Sequence, residues 1–562
     1  MKCSCKISRN YLYQAVSGAL TLGLAVSSAQ AVTGVPPYPA AVPLNSLDVA
    51  TTGFRLDSSI SGDRAGTSVS GIGDINGDGF DDVLIGAPSV GSPVNGNSYV
   101  VFGRNNLSSV FSSVQSLTGT GFRIVDSANQ RLGFSVSGTG DVNGDGIVDL
   151  IIGAPYANNN SGVAYVVFGK DSSQGSNFPP LLDVSSLTGT NGFRIQGAAA
   201  DSYLGLSVSG AGDINGDGMN DLLIGAPNAN NNQGIVYVIF GHSTLSPNLP
   251  YPAVVDVSLA NNMDGSSAVK PVGQTGTGFN GFRIVGENAG SRFGFAIRSA
   301  GNVNNDAFKD IVIGAPNAGF SGNSTGSSYL LFGHNLPFGT NGVVAANQLI
   351  GSNGVRFDGA VSGSSSGISV SGGGDINGDG IDDLIIGAPY ATNNILSEGS
   401  TYVVYGKPQN QAFSSPINLS NLNGTNGFRI DGTNLEESSG AAVSIVKDFN
   451  VDGIDDILIG ASLNQGRAYL VFGRRITSPV FSLSTLDTLK GIRGFHLDGP
   501  SGTSGNVGAA VASAGDINND GFNDVIVGAP IANPGGVTEA GSSYISYGYD
   551  DRIFASGLEQ DE

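Results

Sequence analysis

Asp74-Ile75-Asn76-Gly77-Asp78-Gly79-Phe80-Asp81-Asp82, followed by Val83-Leu84-Ile85-Gly86-Ala87-Pro88, is the stretch on which the fold turns. Side-chain oxygens stand at positions 1, 3, 5 and 9 of its first nine residues, and position 7 offers a backbone carbonyl. In a loop coiled about one point the odd positions face inward, and Gly79 at position 6 permits the sharp left-handed turn. Three carboxylates and an amide oxygen form a hard donor set that selects Ca²⁺ over softer metals. A helical calcium loop runs for twelve residues to a bidentate Glu. Here the last donor is Asp82 and a short apolar run follows, so the loop joins two strands.

The pattern recurs in one register. The donors are Asp74, Asn76, Asp78 and Asp82; Asp141, Asn143, Asp145 and Asp149; Asp213, Asn215, Asp217 and Asp221; Asp375, Asn377, Asp379 and Asp383; Asp448, Asn450, Asp452 and Asp456; and Asp516, Asn518, Asp520 and Asp524. A fourth copy in chain order departs from the rest, with Asn302, Asn304, Asp306 and Asp310 as donors. It has two carboxylates instead of three, Ala307 in place of the turn glycine, and Lys309 beside the last donor. A lone copy reads as well as an Asx-rich turn without metal; seven in register favour metal, with six strong Ca²⁺ sites and a weak or empty one at Asn302.

The loops lie about 74 residues apart on average, more than the roughly 40–50 of the common propeller repeats, and long connecting loops account for the excess. Each repeat has a Gly-Phe-Arg segment such as Gly121-Phe122-Arg123, a small-residue strand such as Leu132-Gly133-Phe134-Ser135-Val136-Ser137, the acidic loop, an apolar strand ending in Gly-Ala-Pro, and an alternating strand such as Tyr165-Val166-Val167-Phe168-Gly169. Glycine and proline bound these runs, and β-branched and aromatic residues fill them. No segment has sustained helical periodicity with caps. The reading is an all-β, seven-bladed β-propeller of four-stranded antiparallel blades, because stacked sheets bury both faces and a ring leaves few edges. An open β-solenoid is the alternative. The last repeat ends at its third strand, Tyr544-Ile545-Ser546-Tyr547, so Phe54 to Leu56 is expected to complete the final blade and close the ring.

Residues 1–31 read as a signal peptide: Lys2, Lys6 and Arg9 precede the apolar Ala15 to Val26, and Ala29-Gln30-Ala31 fits a cleavage site. A short linker (32–43), the propeller (44–549) and an acidic tail (550–562) follow. The only cysteines, Cys3 and Cys5, fall in the signal, so the mature chain is expected to lack disulfides. Losing Lys2, Lys6 and Arg9 takes the net charge from −21 to −24. That balance excludes a nucleic-acid partner, since such binding needs basic residues to neutralise phosphate. Twenty carboxylates stand at loop donor positions, so cations are expected to neutralise most of the charge. No later run is long and apolar enough to cross a bilayer, so no membrane insertion of the mature chain is expected.

Phe293-Gly294-Phe295, the Asp-x-Asn-x-Asp-Gly-x-x-Asp loop and the Gly-Ala-Pro ending resemble the FG-GAP repeats of the integrin alpha-subunit propeller, of the kind found in secreted bacterial proteins, over nearly all of residues 44–549. The resemblance implies a calcium-loaded, secreted or cell-surface adhesion module whose extracellular protein or glycan ligand binds on the face opposite the acidic loops. There Tyr156, Tyr203, Phe320 and Tyr390 are candidate contacts, among the loops Tyr156 to Asn160, Asn228 to Gln233 and Tyr390 to Ser397. Solvated turn residues are the plainer reading of the same positions. Asp57-Ser58-Ser59-Ile60-Ser61 has the Asp-x-Ser-x-Ser spacing of an adhesion metal site, yet lies between propeller strands and reads as coincidence. His242 and His334 follow Phe-Gly pairs and read as turn residues. With no nucleophile motif and most carboxylates assigned to metal, no enzyme is expected. The alternative is a carbohydrate-active hydrolase or lyase on a propeller scaffold.

Overall fold

The computed structural model describes residues 41–47 and 52–548, apart from 90–95, 106–116, 118, 127–129, 176, 198, 245–250, 259–262, 264–280, 320–323, 336, 394–395, 465, 477, 490 and 501–504. The signal and tail assignments therefore lie outside the described residues.

Seven small sheets follow one another as blades of a propeller. In blade 1 the strands run Ser68–Gly73, Asp82–Ala87, Asn97–Val101 and Gly121–Val125, from inner to outer, each antiparallel to the last. The inner strands of blades 2 to 7 are Ser135–Gly140, Ser207–Gly212, Ala296–Gly301, Ser369–Gly374, Ala442–Val446 and Ala510–Gly515. The second strand is buried at every residue in every blade because it is covered on both faces. After its leading Asp its residues are Val, Leu and Ile followed by Gly-Ala, the near-continuous apolar run that such burial demands. The outer strand alternates, with Phe122 buried and Arg123 only partly so.

The blades are held together by close backbone approach, which explains two of the repeating glycines. A Cβ on Gly86 would lie 2.1 Å from the carbonyl oxygen of Gly133 in the next blade, and one on Gly528 in blade 7 would lie 2.1 Å from that of Gly66 at the start of blade 1. The same contact joins successive blades all round the circle. Seven apolar clusters, such as that of Leu84, Phe122, Leu150 and Ile152, fill the spaces between neighbouring sheets.

A blade is offset by one strand from the sequence repeat. The Gly-Phe-Arg segment that opens a repeat forms the outer edge of the preceding blade, and Gly53–Asp57 pairs with Ser542–Ser546 of blade 7, Phe54 opposite Ile545. Six blades also carry a fifth strand, parallel to the outer one, which the four-stranded expectation omitted. These additions are short, two or three residues such as Leu181–Asp183, and have no alternating pattern long enough to read. In blade 6 the fifth strand is Ala41–Pro43, paired with His496–Asp498, so residues expected in a linker belong to the ring. Helix is nearly absent among the described residues; the longest, Ser484–Leu489, has six.

Candidate functional site

Each acidic loop leaves the inner strand of its blade and returns as the second strand. In six blades a β-bulge just before the loop turns the chain, as at Gly71/Gly73. In loop 1 the Asp74 carboxylate accepts the amides of Asp78 (3.0 Å) and Gly79 (2.7 Å). The Asn76 side-chain oxygen accepts the Asp78 amide at 2.9 Å, and the Asp78 carboxylate accepts the Phe80 amide at 3.1 Å. The loop is thus an Asx-turn coil in its own right, with further lone pairs on the same oxygens free to face a cation.

Asp82 closes it. One carboxylate oxygen takes the Ile75 amide at 3.0 Å, the other the Gly103 amide at 2.9 Å, just past the third strand. Every blade repeats this staple, down to Asp524 with Ile517 and Gly548, and all seven of these aspartates are fully buried. The glycine after the third-strand aromatic is therefore part of the site, a partner that the loop pattern alone did not reveal although Phe-Gly recurs there.

Burial pushes the Asp82 and Asp149 carboxyls up to about 8, opposed by their backbone hydrogen bonds and reinforced by the other carboxylates of the loop. Asp310 is pushed to about 7 for the same first reason. Asp221, Asp383, Asp456 and Asp524 are raised well above the ordinary range. Buried carboxylates that repel one another and are desolvated are the electrostatic setting a hard cation relieves. Among the described residues, however, no three His, Cys, Asp or Glu side chains form a metal-holding group by themselves. The Asn amide oxygens and a backbone carbonyl would have to complete any cation shell.

Loop 4 differs in the way its sequence implies. The Asn302 side chain accepts the Asp306 amide at 2.9 Å but donates its own NH₂ to the Asp306 carbonyl at 2.6 Å, where Asp74 offers a second acceptor. Glycines at position 6 have φ of 84° to 93°, whereas Ala307 does not enter the left-handed region. Lys309 does not turn into its own loop; it faces Asp382 of the next blade at 3.8 Å.

The loops are laced to one another. At four of the seven junctions the amide of position 8 bonds to the carbonyl of position 1 in the preceding loop, as Asp81 to Asp516 (3.3 Å) and Asn220 to Asp141 (3.0 Å). Asp81 returns the contact by accepting the Asp516 amide at 2.8 Å. The third-strand ends join in: Lys170 and Ser172 of blade 2 donate to Ile75 and Asn76 of loop 1. Position 8, unassigned in the donor pattern, thus links neighbouring sites.

On the opposite face, Tyr156 and Tyr203 come together, edge to face at 5.3 Å, with the Arg131 guanidinium 4.3 Å above the Tyr156 ring. Tyr390 is 48% exposed and shows no ring contact with that pair among the described residues. Phe320 lies outside the described residues. The two Ala-Asn-Asn-Asn turns, at Ala157–Asn160 and Ala229–Asn232, hold consecutive asparagines in the left-handed region and clamp the next blade, with Tyr203 donating to the Asn160 carbonyl and Arg292 to that of Asn232. His242 and His334 are half-buried and pack against the rings of Tyr251 and Phe338, centroids 3.9 and 4.1 Å apart, rather than standing free in turns. His496 lies between Asp487 (3.0 Å) and Asp498 (2.9 Å), taking the place that Arg429 holds beside Asp431 in blade 5. Ser58 donates to buried Asp63, which also accepts from Asn97 and Tyr99, so the Asp-x-Ser-x-Ser segment is engaged in blade packing.

The fold and loops define a seven-bladed propeller whose acidic hairpins occupy one face. The FG-GAP repeat model matches residues 65–101, 132–167, 204–239, 293–331, 366–405 and 507–546, which fall in blades 1 to 5 and 7. Blade 6 has Ile445 and Lys447 where the others have the bulge residues, and its inner strand pairs without a bulge. Integrin alpha pat-2 of Caenorhabditis elegans is 29% identical over 269 residues, 46% of this chain and 18% of that protein. Integrin alpha-5 of Xenopus laevis is 28% identical over 277 residues, 49% of this chain and 21% of that protein. Phosphatidylinositol-glycan-specific phospholipase D of Dictyostelium discoideum is 30% identical over 172 residues, 28% and 17% respectively. These matches span about a fifth or less of the relatives' own length. The chain belongs with the FG-GAP-repeat propellers of the integrin-alpha-like type.

Proposed function

We propose that the protein is an extracellular, calcium-stabilised ligand-binding module of the adhesion type. The observation that carries this reading is the repetition of one acidic hairpin in every blade, all on one face and most of them bonded to a neighbouring loop. Calcium bound there would neutralise carboxylates that burial and mutual repulsion disfavour, and would hold adjacent loops, and so adjacent blades, in register. The donors are those of the six Asp-x-Asn-x-Asp loops, with loop 4 as the weakest site. The role is structural, and no catalytic residue is assigned. Export after removal of residues 1–31 accords with calcium supply outside the cell. No helix among the described residues is long and apolar enough to cross a membrane.

The ligand surface of this reading is the opposite face around Tyr156, Tyr203 and Arg131, where an edge-to-face aromatic pair backed by a cation suits a protein or glycan. Screening the calcium-loaded chain against glycan and matrix-protein arrays tests it. Binding that survives in wild type and drops at least tenfold in Tyr156→Ala or Tyr203→Ala supports the assignment. Binding unaffected by either change, or no binding to any member, contradicts it.

A further inference from the structure

The inner strands enclose a central channel with a cavity of about 240 Å³ at the end remote from the acidic loops. Nearly all of its lining is Ser, Thr, Ala and aliphatic side chains from the first residues of those strands, and among the described lining residues Arg298 is the only charged one. The strand register makes the exception sharp. Arg298 is the third residue of its inner strand, opposite Val312. The third position is Ser in five other blades, such as Ser70 opposite Leu84 and Ser371 opposite Ile385, and Ala512 in blade 7. Six small residues and one arginine at one level leave the guanidinium as the floor of the cavity.

That guanidinium has no carboxylate partner among the described residues. Its Nη1 donates to the carbonyls of Val208 (3.3 Å) and Ile297 (3.1 Å), while Nε and Nη2 have no acceptor among the described residues. Enclosure pulls its pKa below the usual arginine value. Arg298 is half-buried and lines the cavity, so its remaining N–H groups open into the channel, where the oxygens of an anion can accept them. Three further arginines stand on the same face of the ring, outside the cavity lining. The residue two places before the glycine that opens each inner strand is Arg64, Arg131 and Arg292 in three blades, each with a left-handed φ of 53° to 57°. Arg64 is paired with Glu539 at 2.5 Å, but Arg131 and Arg292 lie over aromatic rings with no carboxylate partner among the described residues.

We propose that the channel mouth is a binding site for one small oxyanion group, a sulfate or carboxylate, seated on the free edge of the Arg298 guanidinium. The planar fork with its remaining N–H donors matches two oxygens of such a group, and the cavity of about 240 Å³ admits a group of that size. The site is independent of the calcium reading, since it uses no loop donor.

Calorimetric titration of the full calcium-loaded chain with sodium sulfate and with sodium acetate, at constant ionic strength in chloride, tests this. One saturable site per chain is expected for wild type, at least tenfold weaker in Arg298→Ser, which places at this level the residue five other blades already carry. Arg298→Lys keeps the cation and loses the fork, so intermediate affinity is expected. A sulfated disaccharide in a third arm identifies the source: tighter binding than free sulfate marks a glycan terminus, and equal binding marks the free ion. The proposal is overturned if wild type shows no saturable site, or if Arg298→Ser and Arg298→Lys both bind as wild type does.

Discussion

At the residue scale, two kinds of residue do the decisive work: glycines that let backbones touch, and aspartates buried where no ordinary charge would be. Gly86→Ala places a methyl 2.1 Å from the Gly133 carbonyl, against backbone that cannot swing aside. Overpacking of this kind costs about 1–3 kcal/mol or more, so the urea midpoint is expected to fall with an unchanged m-value; an unaltered midpoint would show that the blades do not meet there. The buried aspartates give a pH dependence with a definite sign. In chelated protein, Asp82 and Asp149 have native pKa values of about 8, above the roughly 3.9 of an unfolded chain. Between those values the native state holds the additional protons, so stability is lost as pH rises through that window. Chelated protein is therefore expected to melt higher at pH 5.5 than at pH 8, and calcium is expected to abolish or invert that order. A chelated form more stable at pH 8 would mean that these carboxylates are ionised in the fold without a cation.

At the scale of the element, the loop is a nine-residue coil with its own hydrogen bonds, clamped to its neighbours. Much of this was legible in the sequence. The donor positions recur without a gap, and the glycine at position 6 marks the left-handed turn that the structure shows at Gly79 and its equivalents. What was not legible depends on contacts distant in the chain. Asp82 looks like one more donor in the sequence, but its buried carboxylate also binds Gly103, twenty-one residues on. Lys309 looks like a charge entering loop 4 and instead faces Asp382 in another blade. The fifth strands, of two or three residues, carry too few side chains for any period to emerge. Loop 4, with its amide donor at Asn302, is expected to bind calcium at least tenfold more weakly than loop 5. Titrations of chains reduced to a single intact loop by Asp→Ala changes elsewhere measure this, and equal affinities would contradict it. Closure belongs to this scale too: Phe54 is buried against Tyr547 and pairs opposite Ile545, so Phe54→Ala is expected to cost about 3–5 kcal/mol, read as a lower urea midpoint.

At the scale of the whole molecule, the sequence repeat and the blade differ by one strand, and that offset makes the ring one cooperative object. Each repeat lends its first strand to the blade before it, and both ends of the described chain meet in blades 6 and 7. The acidic loops gather on one face, and most are bonded to a neighbouring loop, so a cation in one of these stiffens its neighbour as well. A ligand that binds only the native state stabilises it by about 2.7 kcal/mol per site at a hundredfold excess over Kd, and the summed effect of several such sites is a large shift for one ring. The most direct test is scanning calorimetry of the full chain in millimolar calcium against excess chelator. A single transition raised by on the order of ten degrees or more in calcium is the expected result; a melting temperature unchanged by the chelator would contradict the claim that calcium holds this propeller together.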